Sequence, residues 1–581
     1  MADRESVAMD ATDLKTEEAT FPTLDRADIE RIAKLGKREE YADGDLIFSA
    51  GDADIDFIVV EAGGVEMQNA SDGGSKIFTH GPGHFCGDID LLTRRPVIVT
   101  AVARGQTRVI RTPGKKLRRL LLTVPRLAEK LLVAIQLRRD RLQSSENVGL
   151  RVLGSGHCPD TNLVREFLTK NFVPFTWYDA DTDEGREVQQ SMKAEGHLPW
   201  VECGSDNVLV RPTVRQIAEC AGVWRACPSG NVNLAIVGAG PAGIAAAVYA
   251  ASEGLNTIVL DELGPGGQAG GSSLIENFIG FPSGLSGHEL STRGVLQMLK
   301  FGAQMHAPVR IESIEASSIS GEPHKLVTEC GATISADVVL VATGARWKRL
   351  PAKGAARFDR IGVHYACTST EAELYDGCDV AVVGAANSAG QAAMYLAEAC
   401  VRTVHMIIRG PELGPGMSAY LVDRIRATSN IKVHTNVEIG EVIGSEKIEE
   451  IALVGRGGTE PPNDAPATLK VNAIFAFIGA QPRSDWLPDT IARDDRGYVL
   501  TGTDLTAAKK WPLDDRGPCP LETSVPGILA AGDVRCGSTK RVGFAVGDGS
   551  LAVTCVHSLL ATSRAAAQAA REARKSQTVP T

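Results

Sequence analysis

Residues 233–254, NLAIVGAGPAGIAAAVYAASEG, constrain the fold of this chain more than any other stretch. They read as a short apolar strand, a glycine turn and a helix of small residues. Gly238 permits the tight turn, Gly240 lets backbone approach a pyrophosphate, and Gly243 lets helix pack on strand. Pro241 and Ala242 belong to the same phosphate-facing turn. One strand later, TIVLDE places Asp261 where a carboxylate accepts a ribose hydroxyl. A lone glycine motif is weak, but here strand, turn, helix and acid arrive in the order a dinucleotide site requires.

A near copy follows at DVAVVGAANSAGQAAMYLAEAC, with Gly384 in the place of Gly238 and Asn387 and Ser388 opening the helix. Two fingerprints imply two bound dinucleotides, or one cofactor and one substrate nucleotide. In the second, Ala386 replaces the middle glycine, so close pyrophosphate approach is less certain. Where NAD-selective sites carry an acid, VHMIIRG supplies Arg409. Arginine suits a 2′-phosphate, which favours NADPH, with NADH the alternative.

The remaining segments fit around the two copies. GPGGQAGGSSLIENFIGFPSGLSG follows Asp261, VVLVATGARWKRLP closes the first nucleotide domain, and IFAFIGAQP closes the second. Late in the chain, VPGILAAGDV sets Gly532 and Asp533 after a strand. Such a pair returning to the first domain fits a flavin: the aspartate accepts ribityl hydroxyls while backbone amides meet phosphate. Residues 232–346 and 479–562 thus read as an FAD-binding domain, split by an NAD(P)H-binding domain over 347–478.

A chain of 581 residues is too long for one core, and three or four domains are expected. The N-terminus has no apolar run that would serve as a secretory signal, and no stretch reads as a clean membrane span, which places the chain in the cytoplasm. A net charge of -10 argues against a general nucleic-acid binder. Twelve cysteines occur without any CxxC spacing. That excludes a local zinc knuckle and a disulfide framework, so no metal is expected and most of these thiols should be reduced.

Upstream, residues 1–20 carry six acids and two bases and read as a disordered tail. Over 21–148 a short helix precedes brief β-like runs punctuated by glycine, then basic amphipathic helices over 115–143, together an antiparallel roll with helices. The Gly51-Asp52 turn and the segment HFCGDIDLLTRRP resemble the cyclic nucleotide-binding domain. By that resemblance Gly87 and Asp88 stand on the glycine and acid of the family's phosphate cassette. The arginine that follows the family's proline is absent, since Pro96 precedes Val97, Ile98 and Val99. Losing such a charge-assisted contact costs about 2–3 kcal/mol. Ligand binding and a purely structural roll are the two readings, and weak or absent binding of cyclic nucleotides is expected.

Residues 149–226 run strand, turn with Cys158, amphipathic helix, strand FTWYDAD, helix, then LPWVEC. This order resembles the glutaredoxin and thioredoxin fold, with Leu198-Pro199-Trp200 where that family carries a cis-proline. The family's two-cysteine motif reads Cys158-Pro159-Asp160-Thr161 here, so one thiol is gone. A thiol at a helix N-terminus gains thiolate character and can form mixed disulfides, yet this one cannot resolve them locally. Cys158 is either a monothiol centre or vestigial. Cys203, Cys220 and Cys227 are its candidate distant partners.

More than half the chain resembles low-molecular-weight thioredoxin reductase. The likeness rests on GAGPAG, the GGQ that includes Gly267 and Gln268, the IEN ending at Asn277, the ATG ending at Gly344, GAANSA, AAGDV, and KRVGFAVGDGS with Arg541 and Val542. It implies FAD on the first site, NADPH on the second, a homodimer, and rotation of the inserted domain between hydride delivery and onward transfer. It also implies a CATC centre after GVxY. Here GVHY is followed by Ala366-Cys367-Thr368-Ser369, so both motif cysteines are missing.

The sequence therefore favours hydride transfer from NAD(P)H to FAD, with electrons leaving to an unidentified acceptor such as a protein carrier, and with an N-terminal regulatory module. One rival is a disulfide reductase acting through Cys158, and another is a flavin-based redox sensor with incidental catalysis. The alanine-rich stretch over 557–575 should be helical, with 563–581 as a C-terminal tail.

Overall fold

The computed structural model describes residues 11–70, 73–145, 148–156, 158–192, 195–203, 207–317, 322–367, 369–399, 401–414, 416–462 and 465–577. They form two compact units, one of residues 1–153, 171–224 and 295–305, the other of 154–170, 225–294 and 306–581.

In the first unit, strands Lys37–Tyr41, Val99–Thr112, Phe57–Asn69 and Ser75–His80 pair antiparallel in that order. Their inner faces bury Ile58, Val60, Val65, Ala101 and Val109. Val97 joins this cluster at 6% exposure, so the residue standing in place of the family arginine fills core. Two helices follow, Gly114–Thr123 and Pro125–Gln143, burying Leu117, Leu120, Leu121, Leu127 and Leu131.

The disordered reading of 1–20 is corrected in its second half. Ala11–Thr20 is a helix, and residues 1–10 lie outside the described residues. Its acids masked good helix formers, and its order comes from distant bases. Arg138 donates from Nε to the Thr20 carbonyl at 2.9 Å, and Arg141 pairs with Glu17 at 2.8 Å.

A second sheet of this unit orders Val208–Val210, Trp200–Glu202, Leu150–Gly154 and Phe175–Asp179. Leu153, Met192 and Trp200 pack together on it, and the Leu198–Pro199 peptide is cis. Cys203 and Cys220 form a disulfide with Cα atoms 5.7 Å apart. The expectation that most thiols are reduced stands beside this one bond, since nine other described cysteines are free. The fold closes a spacing of 17 residues that no local motif announces.

In the second unit a mainly parallel sheet is built on Asn231–Val237, flanked by Thr257–Leu260 and Thr333–Val341. The late strand Ile528–Ala530 pairs parallel with Thr333–Val341, so chain separated by some 200 residues in sequence meets in one sheet. Short strands Ala345–Trp347 and Ala480–Pro482 pair antiparallel where the chain leaves and re-enters this layer. Between them lies a second parallel sheet ordered Val363–His364, Ala473–Ala476, Asp379–Val383, Thr403–Ile408 and Ile431–Thr435. Both layers read as continuous apolar runs because helices cover their faces.

The last helix, Val542–Gln577, packs along Pro241–Ser252. Its portion Val542–Thr562 is long and apolar enough to cross a membrane by length and composition, which corrects the expectation that no stretch reaches that test. Here Ala552, Val553, Val556, Leu559 and Leu560 are buried in the fold.

Candidate active site

The first glycine turn leaves strand Asn231–Val237 and enters helix Pro241–Ser252, whose N-cap is Gly240 in extended conformation with Pro241 at the first turn. Gly238 has φ 108°, and a Cβ there would drive into the Ala342 carbonyl. At Gly243 a Cβ would collide with the Gly238 carbonyl, so helix and strand meet backbone to backbone. A second glycine loop arrives alongside: a Cβ on Gly267 would sit 3.0 Å from the Gly240 Cα. Bare backbone on both sides of a 12-residue helix N-terminus is a cradle that suits a pyrophosphate.

Asp261 ends the neighbouring strand, as the spacing implies, and it also organises the turn. Its carboxylate accepts from the Ala239 N–H at 2.8 Å, Leu263 at 2.9 Å and Gly264 at 2.8 Å. Gly532 reaches the same helix: a Cβ there would lie 3.0 Å from the Ala242 Cβ. Asp533 is half-buried, and burial pushes its carboxyl up. Gly344 (φ 65°) has open space where a side chain would be. Arg541 is exposed and Val542 begins the last helix. Asn277 lies on an exposed turn and is not among the residues that line the cleft beside the second glycine turn.

Sequence reasoning missed two residues here. Asp548 accepts from the Gly532 N–H at 3.0 Å and pairs with Arg535 at 3.1 Å, fixing the late turn. At Gly549 a Cβ would strike the Ala242 carbonyl, so this glycine lets the last helix close on the first. The signal was present in the GDGS ending of KRVGFAVGDGS, but the partner that explains it is remote in sequence.

The second turn leaves Asp379–Val383 and enters Asn387–Glu398, with Gly384 at φ 136° and Ala386 as an exposed, extended N-cap. The Asn387 Oδ1 accepts from the Ser418 N–H at 2.7 Å, which ties the turn to the next loop. Arg409 follows strand Thr403–Ile408, and its side chain is 73% exposed, with Glu438 no nearer than 3.8 Å.

An open cleft runs from the loop that carries Gln268 to the start of the helix after the second turn. Gln268, Ser272, Trp347, Tyr365, Cys367 and Ser388 are among its lining. Gln268 donates from Nε2 to the Ala345 carbonyl, and Trp347 meets Phe477 edge-on at 6.0 Å. Tyr365 accepts from the Leu350 N–H at 3.1 Å. Ser272 bridges Cys367 in parallel fashion. Cys367 is 5% exposed within the apolar cluster of the second sheet, and burial pushes its thiol far up. A thiol held protonated is a poor nucleophile, so this cleft carries no reactive dithiol among its lining residues.

Cys158 begins helix Pro159–Lys170: its carbonyl accepts from the Asn162 N–H at 3.1 Å. Thr161, in the place of the family's second thiol, is fully buried, and its hydroxyl has no partner among the described residues. Asn162 donates to the Arg360 carbonyl at 2.9 Å, and Lys170 approaches the Gly267 carbonyl at 3.4 Å. Cys203 and Cys220 are bonded to each other, which removes both as partners of Cys158 in this state.

In the roll, Gly87 (φ 123°) precedes an Asp88 that is already engaged. Its carboxylate pairs with Arg139 at 2.6 Å, and Arg139, 3% exposed, also holds Asp90 at 2.5 Å. The acid of the resembled cassette is tied into a buried ionic triad. The Asp88 to Arg139 pairing crosses the roll and its helices, which no local motif discloses.

Residues 232–568 match the pyridine nucleotide-disulphide oxidoreductase family, and residues 38–123 match the cyclic nucleotide-binding domain. A 34.2 kDa protein in the rubredoxin operon of Clostridium pasteurianum is 30% identical over 55% of this chain and 95% of its own length. A component of the alkyl hydroperoxide reductase of Staphylococcus aureus is 32% identical over 60% of this chain, and the match spans 63% of that relative. Thioredoxin reductase of Ureaplasma parvum is 30% identical over 55% of this chain and 94% of its own length.

Proposed function

The chain belongs to the pyridine nucleotide-disulphide oxidoreductase family and is an oxidoreductase, and from that premise we propose that it oxidises NADPH and delivers the electrons to an acceptor beyond its own cleft. The observation that carries this reading is Cys367. It is the sulfur among the cleft's lining residues, and it is buried and held protonated instead of being half of a dithiol. FAD, when bound, supplies the ring that takes a hydride from a nicotinamide and passes electrons on.

The chain's residues bind, orient and exclude water. The turn from Gly238 to Gly243 meets the pyrophosphate, and Asp261 ties that turn, through the Ala239 N–H, to its own following loop, through the Leu263 and Gly264 N–H groups. Asp548 keeps Gly532 and Asp533 beside the same helix for the ribityl chain. Gln268, locked on the Ala345 carbonyl, and the rings of Trp347 and Tyr365 wall the cleft. The exposed guanidinium of Arg409 favours the 2′-phosphate of NADPH. Tyr249, Phe544 and Leu551 are 47%, 57% and 42% exposed on two packed helices, which supports a homodimer that light scattering would read. The acceptor is a protein carrier, in the cytoplasm, and the N-terminal roll acts as a regulatory module that does not sense cyclic nucleotides.

The experiment is anaerobic addition of NADPH, then turnover with a chromogenic aromatic disulfide. Bleaching of the flavin band with negligible disulfide turnover, unchanged in Cys158→Ala and on adding cyclic AMP, is the expected result. Robust turnover abolished by Cys158→Ala overturns the proposal in favour of the Cys158 route. Flavin that NADPH does not bleach overturns it in favour of a sensor.

A further inference from the structure

The Cys203–Cys220 bond is the one disulfide among the described residues, and it sits at the edge of its sheet. Cys203 directly follows strand Trp200–Glu202, and its N–H donates to the Asn207 carbonyl at 2.7 Å. That contact opens the way to the edge strand Val208–Val210, which pairs antiparallel with Trp200–Glu202 alone among the described strands. Cys220 is the last residue of helix Val214–Cys220. Both cysteines are half-buried, so the bond borders on solvent.

Both ends of the bond have anchors of their own. The helix buries Ile217 and Ala218 completely, and Thr213 with Gln216 closes a capping box at its start. Arg215 pairs with Glu219 at 2.6 Å and lies 3.6 Å from the Trp224 ring centroid. Strand Trp200–Glu202 buries Trp200 and Val201, pairs with Leu150–Gly154, and ties Glu202 to Arg151 at 2.8 Å. The edge strand is the weakly held part, three residues long with Val210 41% exposed. A chain that keeps nine described thiols free is not built on a disulfide framework, so the fold does not depend on this bond.

We propose that Cys203–Cys220 is a reversible redox modification site, opened by low-molecular-weight aliphatic thiols and closed by their disulfides, which sets the order of the sheet edge Val208–Val210. A small thiolate attacks one sulfur of the bond. The sulfur–sulfur bond breaks, a mixed disulfide forms on the attacked cysteine, and the other cysteine leaves as a thiolate. A second small thiolate then attacks the small sulfur of the mixed disulfide and expels the second cysteine. The protein disulfide gains two electrons and the two protons that the small thiols give up, and those thiols end as one small disulfide. Closing the bond runs the same steps backwards. The Cys203 sulfur lies 3.9 Å from the Val201 carbonyl, so the opened thiol has an acceptor in place.

The bond acts on what lies between its ends. A sequence separation of 17 residues holds both the edge strand and the helix, so the closed ring keeps Val208–Val210 beside Trp200–Glu202. Opening it leaves that strand on its own short ladder, and its amide protons should exchange about tenfold faster or more. This site stands independently of the flavin and of the acceptor proposed above.

The test uses the full-length purified protein, equilibrated without denaturant in reduced or oxidised glutathione, quenched with acid, alkylated and mapped by peptide mass. A Cys203–Cys220 linked peptide is expected in oxidised glutathione, lost in reduced glutathione and regained on return. Hydrogen exchange over Val208–Val210 should be about tenfold faster in the reduced sample, with the strands of the roll unchanged. In Cys203→Ser the fast rate should hold in both buffers. A link that survives reduced glutathione until the protein is unfolded overturns the proposal, as does recovery of both cysteines alkylated or glutathione-bound after oxidation. Equal exchange of the edge strand in the two buffers overturns it as well. Should Cys203→Ser fail to fold, Cys220→Ser supplies the same control, and the wild-type link and exchange rates decide by themselves.

Discussion

The two glycine turns share a strand, a positive-φ glycine and a helix, yet they differ in how much room they leave. In the first, all three motif positions are glycine, and Gly243 has no space for a Cβ against the Gly238 carbonyl. In the second, Ala389 stands in the equivalent place, fully buried, 3.3 Å from where a Gly384 Cβ would fall. Its opening glycine is also slightly less confined, with a Cβ landing 2.6 Å from the Phe477 carbonyl. At the middle position Gly240 faces the Gly267 loop, while Ala386 is exposed. A turn with no slack suits a group that stays, and one that admits two methyls suits a group that comes and goes.

The largest expected effect breaks the comparison at its tightest point. Gly243→Ala must push the first helix off its strand, because the obstacle is backbone and not a side chain that can turn aside. Overpacking of this kind costs about 3 kcal/mol. The variant should lose most of its flavin on purification and unfold at lower denaturant. The mirror change, Ala389→Gly in the second turn, should cost only about 1 kcal/mol through helix propensity. Flavin absorbance per protein and denaturant midpoints check both. Equal losses in the two variants would erase the distinction between the turns.

The next effect tests what the second turn selects. Arg409→Ala removes an exposed guanidinium with a weak claim on Glu438. About 1.4 kcal/mol of contact to a 2′-phosphate corresponds to roughly tenfold in affinity. KM for NADPH should rise by that factor while KM for NADH and kcat stay put. A parallel rise for both nucleotides would mean that Arg409 holds the fold of the strand end and does not read the phosphate.

The motifs were legible where chemistry and backbone coincide. Gly238, Gly384 and Gly532 declare themselves because a turn at positive φ and a helix opening leave a spacing in the sequence. Cys367 was legible as a loss, since its neighbours keep the GVHY frame around it. Asp548 and Gly549 were not, because what they do depends on Gly532 and Ala242 arriving from elsewhere. The same holds for Asp88, whose carboxylate is claimed by Arg139 from a helix that follows the roll. Cys203 and Cys220 show it again: covalent pairing is set by three-dimensional approach, and their spacing carries no local signature. The helix Ala11–Thr20 was hidden by its acids, because composition reported charge while the stabilising partners lay on Pro125–Gln143.

The smallest expected effect sharpens the contrast from the other side. Ala386 caps helix Asn387–Glu398 in an extended conformation, with φ -100° and ψ 174°, which glycine adopts without strain. Glycine is also a better N-cap than alanine, because it leaves the first N–H groups open to solvent or ligand. Ala386→Gly therefore removes the methyl that faces solvent at the pyrophosphate approach and improves the cap together. The gain should be about 0.5–1 kcal/mol, shared between helix stability and nucleotide binding. That predicts a KM for NADPH lower by roughly two- to fivefold. Flavin content should not change, since Ala386 belongs to the other sheet layer. If KM rises instead, the alanine methyl contributes contact to the bound nucleotide, and the second turn is as closely fitted as the first.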